Sequence, residues 1–293
     1  MNKVNLLSIF NKRDAKYLPA VAFLMPDIHT FIANFEAFTM EFSLVIDSQE
    51  YSVDLSHPID LSIPLKNGAG NPTAWYCGPV KIVAVEADGF VGDVNRGGSV
   101  NFRDIYFNPH GHGTHTECVG HISSEPYTIN QCHDDPFYCA LLITIKPQEI
   151  ENGDRVIFMN QIQPWLHQLT MVKALIIRTL PNDLGKLTRN YSNTNPPYIH
   201  YQVMEQLVKA GIRHLLVDLP SVDREKDEGK LEAHHAFWQY PHQTRTNSTI
   251  TEMIYVPEEA EDGYYFLNLQ IVSFENDASP SKPVIYPIQK VEE

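Results

Sequence analysis

Between His110 and His121 the chain reads His-Gly-His-Gly-Thr-His-Thr-Glu-Cys-Val-Gly-His, four imidazoles and a carboxylate in twelve residues. With 13 histidines in 293 residues, composition alone would place about half a histidine in such a window. Imidazole and carboxylate are the side chains that hold a catalytic divalent metal, and glycine lets the backbone turn tightly around one. Alternate side chains of an extended chain share a face, so His115 and Glu117 project together, His121 has the same parity, and Cys118 turns away. His110 and His112 have the opposite parity. A bulge at Gly111 or Gly113 can reset it, and either histidine could then join His115 and Glu117.

A second polar group lies downstream. Asp218-Leu-Pro-Ser-Val-Asp223 ends an apolar run, Leu231 to Trp238 reads as a short helix carrying His234 and His235, and Glu252 interrupts the apolar stretch Thr249–Tyr255. A carboxylate buried without a partner is costly, and a metal would offset that cost. Pattern alone equally allows Thr251 and Glu252 to alternate outward into solvent. By the same token, a histidine pair beside Ala236 and Phe237 suits a helix cap or a satisfied core group as well as a ligand.

The elements that must position these groups read as mixed α/β. Phe42–Ile46 and Tyr51–Leu55 flank Asp47–Glu50 as a hairpin, and Lys81–Val85, Val100–Phe107 and Ala140–Ile145 read as further strands. The second of these three alternates as a half-buried strand and delivers the histidine cluster at its end. Ala174–Leu180, a helix from about Tyr198 to Ala210 ended by Gly211, and His214–Leu219 form a βαβ unit with a parallel strand pair. Strands Thr249–Val256, Tyr264–Phe274 and Pro283–Ile288 complete one domain around a central barrel-like sheet. Residues 65–79 and 181–197, rich in Gly, Asn and Pro, read as loops able to shape a pocket.

Composition narrows the function. A net charge of −14 argues against nucleic-acid and anionic-membrane partners, and no run of eighteen apolar residues offers a membrane span. The apolar run Tyr17–Met25 follows Lys12, Arg13 and Lys16, but no small-residue cleavage site comes after it and Asp14 lies in its basic flank. Residues 1–40 are therefore read as an N-terminal extension rather than an export signal, ahead of a domain over 41–293. Cys77, Cys118, Cys132 and Cys139 contain no Cys-x-x-Cys pair, and four free thiols fit a reducing, cytoplasmic setting.

Taken in order, these motifs resemble the cyclase family of metal-dependent hydrolases, the group of bacterial kynurenine formamidases and isatin hydrolases. That family carries His-x-Gly-Thr-His-x-Asp-x-Pro-x-His, then Asp-x-Pro-Ser-x-Asp, then a histidine in an Ala-His segment, then a glutamate in a late strand. Here stand Gly113-Thr-His115 with Glu117 and His121, Asp218–Asp223, Ala233-His-His-Ala236, and Glu252, with Asp54-Leu-Ser-His-Pro58 similar to the family's opening strand. The resemblance spans residues 51–288 and implies a swivelling β/β/α-type fold.

It also implies one or two zinc or manganese ions held by His110, His115, Glu117, His234 and Glu252, with His121 as general acid/base. The implied reaction is hydrolysis of an amide-type bond in a small molecule, by an enzyme that assembles as a dimer or tetramer. Ser221, Trp75, Tyr76 and Trp238 are candidate pocket residues, each equally at home in plain packing.

The chain departs from the family pattern in four places, one being a segment from His234 to Glu252 longer than the family norm. The family's first histidine falls on Gly111, so His110 or His112 would have to substitute through the glycine bulge, and His110 is the favoured one. Glu117 replaces an aspartate and adds about 1.5 Å of reach, and Val119 replaces the proline. A non-catalytic relative that binds a ligand or a partner is the competing expectation, because a fold alone does not confer an activity.

Overall fold

The computed structural model describes residues 40–292. The expectation of an extension over 1–40 falls, apart from Met40, outside the described residues. Ten strands form the main sheet and are numbered in chain order. They are β1 Glu41–Ile46, β2 Gln49–Asp54, β3 Ile59–Asp60, β4 His115–Glu117, β5 Phe137–Ile145, β6 Ala174–Thr179, β7 His214–Val217, β8 Thr249–Glu252, β9 Gly263–Ile271 and β10 Ala278–Lys290.

Seven of them close on themselves in the order β10-β9-β5-β6-β7-β8-β4, because β4 pairs with both β8 and β10. Strands β5 to β8 run parallel, and the remaining neighbours in the ring are antiparallel. The hairpin β1–β2, turned through Asp47 and Ser48 at positive φ, extends from β10. The mixed α/β class and the barrel-like sheet read from the sequence are thus observed.

The parallel strands carry apolar side chains on both faces, which is why they read as continuous hydrophobic runs. Leu141, Ile143, Leu175, Ile177, Leu215, Val217 and Ile250 pack outward against two helices, α1 (Tyr201–Ala210) and α2 (Glu232–Trp238). Ala140, Leu142, Ala174, Ile176, Leu216, Leu267 and Ile285 fill the barrel interior. Helix α1 joins β6 to β7 and buries Val203, Met204 and Leu207, and Gly211 ends it in the left-handed conformation at φ 87°. Glycine reaches that geometry without the steric cost of a Cβ.

Three elements depart from expectation. The segment Val100–Phe107 forms strand only over Arg103–Tyr106, exposed throughout, and pairs with Lys81–Ala84 in a two-stranded ribbon outside the barrel. Its alternation finds no sheet face to bury against. Strand β8 stops at Glu252, since Met253 takes φ 51°. Strand β10 is longer than Pro283–Ile288, because it serves β9, β2, β3 and β4 at different points along its length. Among the described residues no helix is long and apolar enough to cross a membrane.

Candidate metal centre

Strand register decides which way the cluster faces. Glu117 lies opposite Ile250 and His115 opposite Glu252. Paired residues share a face, so all three functional groups stand on the helix side of the barrel with Ile250. The intervening Thr116 and Thr251 point the other way and hydrogen-bond each other at 2.8 Å. Helix α2 crosses this face and brings His234 to Glu117, with Nε2 3.0 Å from Oε1. The group gathers where β7 and β8 end, the side of a parallel sheet on which ligands commonly bind.

The loop ahead of β4 is a set of turns rather than a strand. Asn108 Oδ1 accepts from the backbone N–H groups of both His110 and Gly111, at 2.9 Å each. Gly113 turns the chain at φ 64°. The buried Thr114 hydroxyl donates to the Met253 carbonyl at 2.6 Å and accepts from Ile63 N–H at 2.9 Å, locking the loop to the residue after Glu252. His110 and His112 consequently diverge. His110 Nδ1 lies 3.0 Å from Glu117 Oε2, whereas His112 Nε2 donates to the Gly78 carbonyl at 2.7 Å and its Nδ1 accepts from Asn108 N–H.

Two groups of potential ligand atoms result, each with its atoms within 4.8 Å of one another: His115, Glu117 and Glu252, and His110, Glu117 and His121. Glu117 belongs to both. His234 touches Glu117 but stands outside both groups. The extended-chain parity holds for His115 and Glu117, yet His121 arrives by another route. Val119–His121 is a 3-10 turn, and that turn swings the imidazole back to 3.9 Å from Glu117 Oε2.

The donor chemistry suits a divalent cation. His115 Nδ1 faces the Gly113 carbonyl at 3.1 Å, and a carbonyl only accepts, so the proton sits on Nδ1. His115 Nε2 is then a bare lone pair, buried, without a hydrogen-bond partner, and 3.4 Å from Glu252 Oε2. His234 is likewise tied through Nδ1, 2.5 Å from Asp223 Oδ2, while its Nε2 meets Glu117 Oε1 at 3.0 Å. Tying one imidazole nitrogen to an acceptor while the other faces the ion is how metal-binding histidines are oriented.

The two glutamates diverge electrostatically. Burial works against ionised Glu117, but the charge of His121 and hydrogen bonds from His110 and His234 outweigh it and hold the carboxyl well below its usual range. Glu252 is pushed up, by burial first and the charge of Glu117 second. Burial alone would lower His110, yet Asp277 and Glu117 raise it to about 10. His234 is likewise raised against the effect of burial, by Asp223 and Glu117. The repulsion that Glu117 exerts on Glu252 is what a cation between them would relieve.

Every expected site residue therefore meets at Glu117 or beside it, and the outward alternation considered for Glu252 is not adopted: its side chain is buried and Oε1 accepts from Val222 N–H at 3.0 Å. Asp223 had a motif but no assigned task. It accepts from the N–H groups of Ala233 and His234 as well as the His234 ring, and so caps α2, whose N-cap residue Leu231 offers no side-chain cap. Asp277 carried no local signal at all, and it lies 2.7 Å from His110 Nε2. Among the pocket candidates, Trp75 and Tyr76 are exposed on consecutive left-handed residues, whereas Trp238 is fully buried and donates to the Ser248 carbonyl. Ser221 is buried too, its Oγ accepting from Asp223 N–H at 3.1 Å.

Comparison with known proteins points the same way. The family model for Cyclase matches residues 53–224. Kynurenine formamidase of Bacillus cereus is 28% identical over 191 residues, covering 65% of this chain and 82% of the relative. Isatin hydrolase A of Labrenzia aggregata superposes with a TM-score of 0.59 at 12% identity, over 78% of this chain and 93% of its own. A predicted metal-dependent hydrolase from Bacillus stearothermophilus gives 0.54 at 13% identity, over 78% and 98%. At those identities the two structures share the fold.

Proposed function

The chain belongs to the Cyclase family, and on that premise we propose that it is a metal-dependent hydrolase cleaving the C–N bond of an aryl formamide or a cyclic amide. The observation that carries this reading is the bare, buried Nε2 of His115 beside Glu117 and Glu252. Similarity to a kynurenine formamidase and to isatin hydrolases supports the substrate class.

His115, Glu117 and Glu252 would hold one ion, and His110 and His234, which reach the two oxygens of Glu117 at 3.0 Å each, would serve a second. Zinc and manganese both suit this mixed nitrogen and oxygen set. Bound there, a divalent ion supplies Lewis acidity that lowers the pKa of water and polarises a carbonyl. His121, partly exposed and 3.4 Å from Asp277, would carry the proton. The water oxygen bonds to the carbonyl carbon, the C–N bond breaks, and His121 delivers the water's proton to the departing nitrogen. The burial of Glu117 and Glu252 keeps bulk water from competing for the ligand atoms.

We also propose a homo-oligomer, dimer or tetramer, supported by the exposed apolar side chains of Ile105 in the ribbon outside the barrel and of Phe90, Val100 and Phe102 in the segment leading to it. The free thiols at Cys77, Cys118, Cys132 and Cys139 support a cytoplasmic site. Metal analysis of the purified protein, with hydrolysis assays on aryl formamides and isatin, tests the reading. Near-stoichiometric zinc or manganese with turnover is the expected result. A folded protein that takes up neither metal would leave a binding module as the better account.

A further inference from the structure

We propose that Asp277 is the positioning residue that holds His110 and His121 in register against Glu117. The two imidazoles are stacked, with ring centroids 4.2 Å apart and planes inclined by 30°. One carboxylate lies on each side of the pair. Glu117 approaches His110 Nδ1 at 3.0 Å and His121 Nε2 at 3.9 Å. Asp277 Oδ2 takes the opposite nitrogens, His110 Nε2 at 2.7 Å and His121 Nδ1 at 3.4 Å. A single oxygen of Asp277 thereby fixes which nitrogen of each ring faces the centre, and neither ring has another side-chain carboxylate on its outer edge among the described residues.

The backbone around Asp277 is built for this task. Its carbonyl accepts from Cys118 N–H at 2.9 Å, one residue past Glu117, and the neighbouring Asn276 carbonyl accepts from Ile129 N–H at 2.7 Å. The carboxylate is thus tied to the segment whose histidines it holds. Gly120 makes the approach feasible, because a Cβ there would stand 2.1 Å from the Tyr127 carbonyl oxygen and 3.1 Å from Asp277 Cβ. Alanine at 120 cannot fit without displacing one of the two. Asp277 lies far from the cluster in sequence, immediately ahead of β10, and it reaches the site because β10 closes the barrel against β4.

The assignment rests on the proposed metal centre for its functional consequence, but not for its structural test. Metal-free crystal structures of the wild type and of Asp277→Ala read the positioning directly. In the wild type His110 Nδ1 stays on Glu117. In the variant, the ring leaves Glu117 and the His110–His121 stack opens. If Asp277→Ala fails to fold, Asp277→Ser, which keeps a polar side chain too short to hold both rings, gives the same readout. An unmoved His110 in a folded variant overturns the proposal.

With zinc present, chelator competition should show a 10- to 100-fold weaker affinity for Asp277→Ala, the usual cost of losing an outer partner of a ligating histidine. The variant should lose kcat more than KM, and Asp277→Glu should recover part of both. Affinity and kcat within twofold of wild type also overturn it. A wild type that binds no metal, combined with a displaced His110 in Asp277→Ala, would sink the hydrolase reading while leaving the positioning role intact.

Discussion

Replacing Glu252 by glutamine should move two properties of the protein in opposite directions. In the metal-free protein Glu252 is a liability: its carboxyl is pushed up by burial and by the charge of Glu117, and Oε2 faces the bare Nε2 of His115 at 3.4 Å. The amide introduced by Glu252→Gln would keep the Oε1 contact with Val222 N–H and turn its NH2 toward His115 Nε2. An orphaned buried acceptor costs about 1–3 kcal/mol, and part of a charge repulsion disappears as well. Metal-free Glu252→Gln should therefore be more stable by about 1–2 kcal/mol, or roughly 2–8 °C in Tm for a domain of this size.

With metal the sign reverses. A ligand that binds only the folded state at 100 times its Kd adds about 2.7 kcal/mol. Losing one anionic ligand should remove most of that increment. The assay is a thermal melt of both proteins after chelation and after addition of zinc. A metal-free variant less stable than wild type, or one that retains the full zinc increment, would refute the argument that Glu252 is held for a cation.

The divergence of two neighbouring histidines predicts that His110→Ala weakens zinc binding at least tenfold, as measured by chelator competition. His112→Ala should keep the metal and lose about 1–2 kcal/mol of stability with its bonds to Gly78 and Asn108. Lys186 and Asp218 form a buried ion pair at 2.7 Å, so Lys186→Met should cost about 3–5 kcal/mol in urea denaturation and adding Asp218→Asn should restore most of it. Burial, and then the charges of His133, Arg213 and Arg245, hold His214 well below its ordinary range. Below about pH 6.5 the unfolded chain takes up a proton that folded His214 refuses, so its contribution is intact above that pH and is lost on acidification by up to about 1.4 kcal/mol per unit. Urea midpoints between pH 7.5 and 5.5 should fall less for His214→Asn than for wild type.

How much of this was legible in the chain follows the range of the interactions involved. The βαβ unit could be read because the apolar run Ala174–Thr179, the stripe Val203–Met204–Leu207 and the capping Gly211 are local signals that the tertiary structure had no reason to override. The ribbon Arg103–Tyr106 alternates just as well, yet alternation says only that a strand could bury one face, not that a face exists to meet it. His121 shows the same limit at the site. Parity placed it correctly for the wrong reason, because the turn Val119–His121 supplies its direction.

The sequence by itself determined the inventory of donors: imidazoles and a carboxylate in one short segment, an aspartate pair after a buried strand, a histidine on a short helix and a glutamate in an apolar strand. Neighbouring donors in one segment fix their own spacing, and that is chemistry the chain carries wherever it goes. Only the closed barrel decided that Glu252 faces inward and that Asp223 and Asp277 stand behind the imidazoles. Those choices depend on which strand lies beside which and in what register. Register is set by the packing of residues more than a hundred positions apart, such as Glu117 against Ile250 and Ala278.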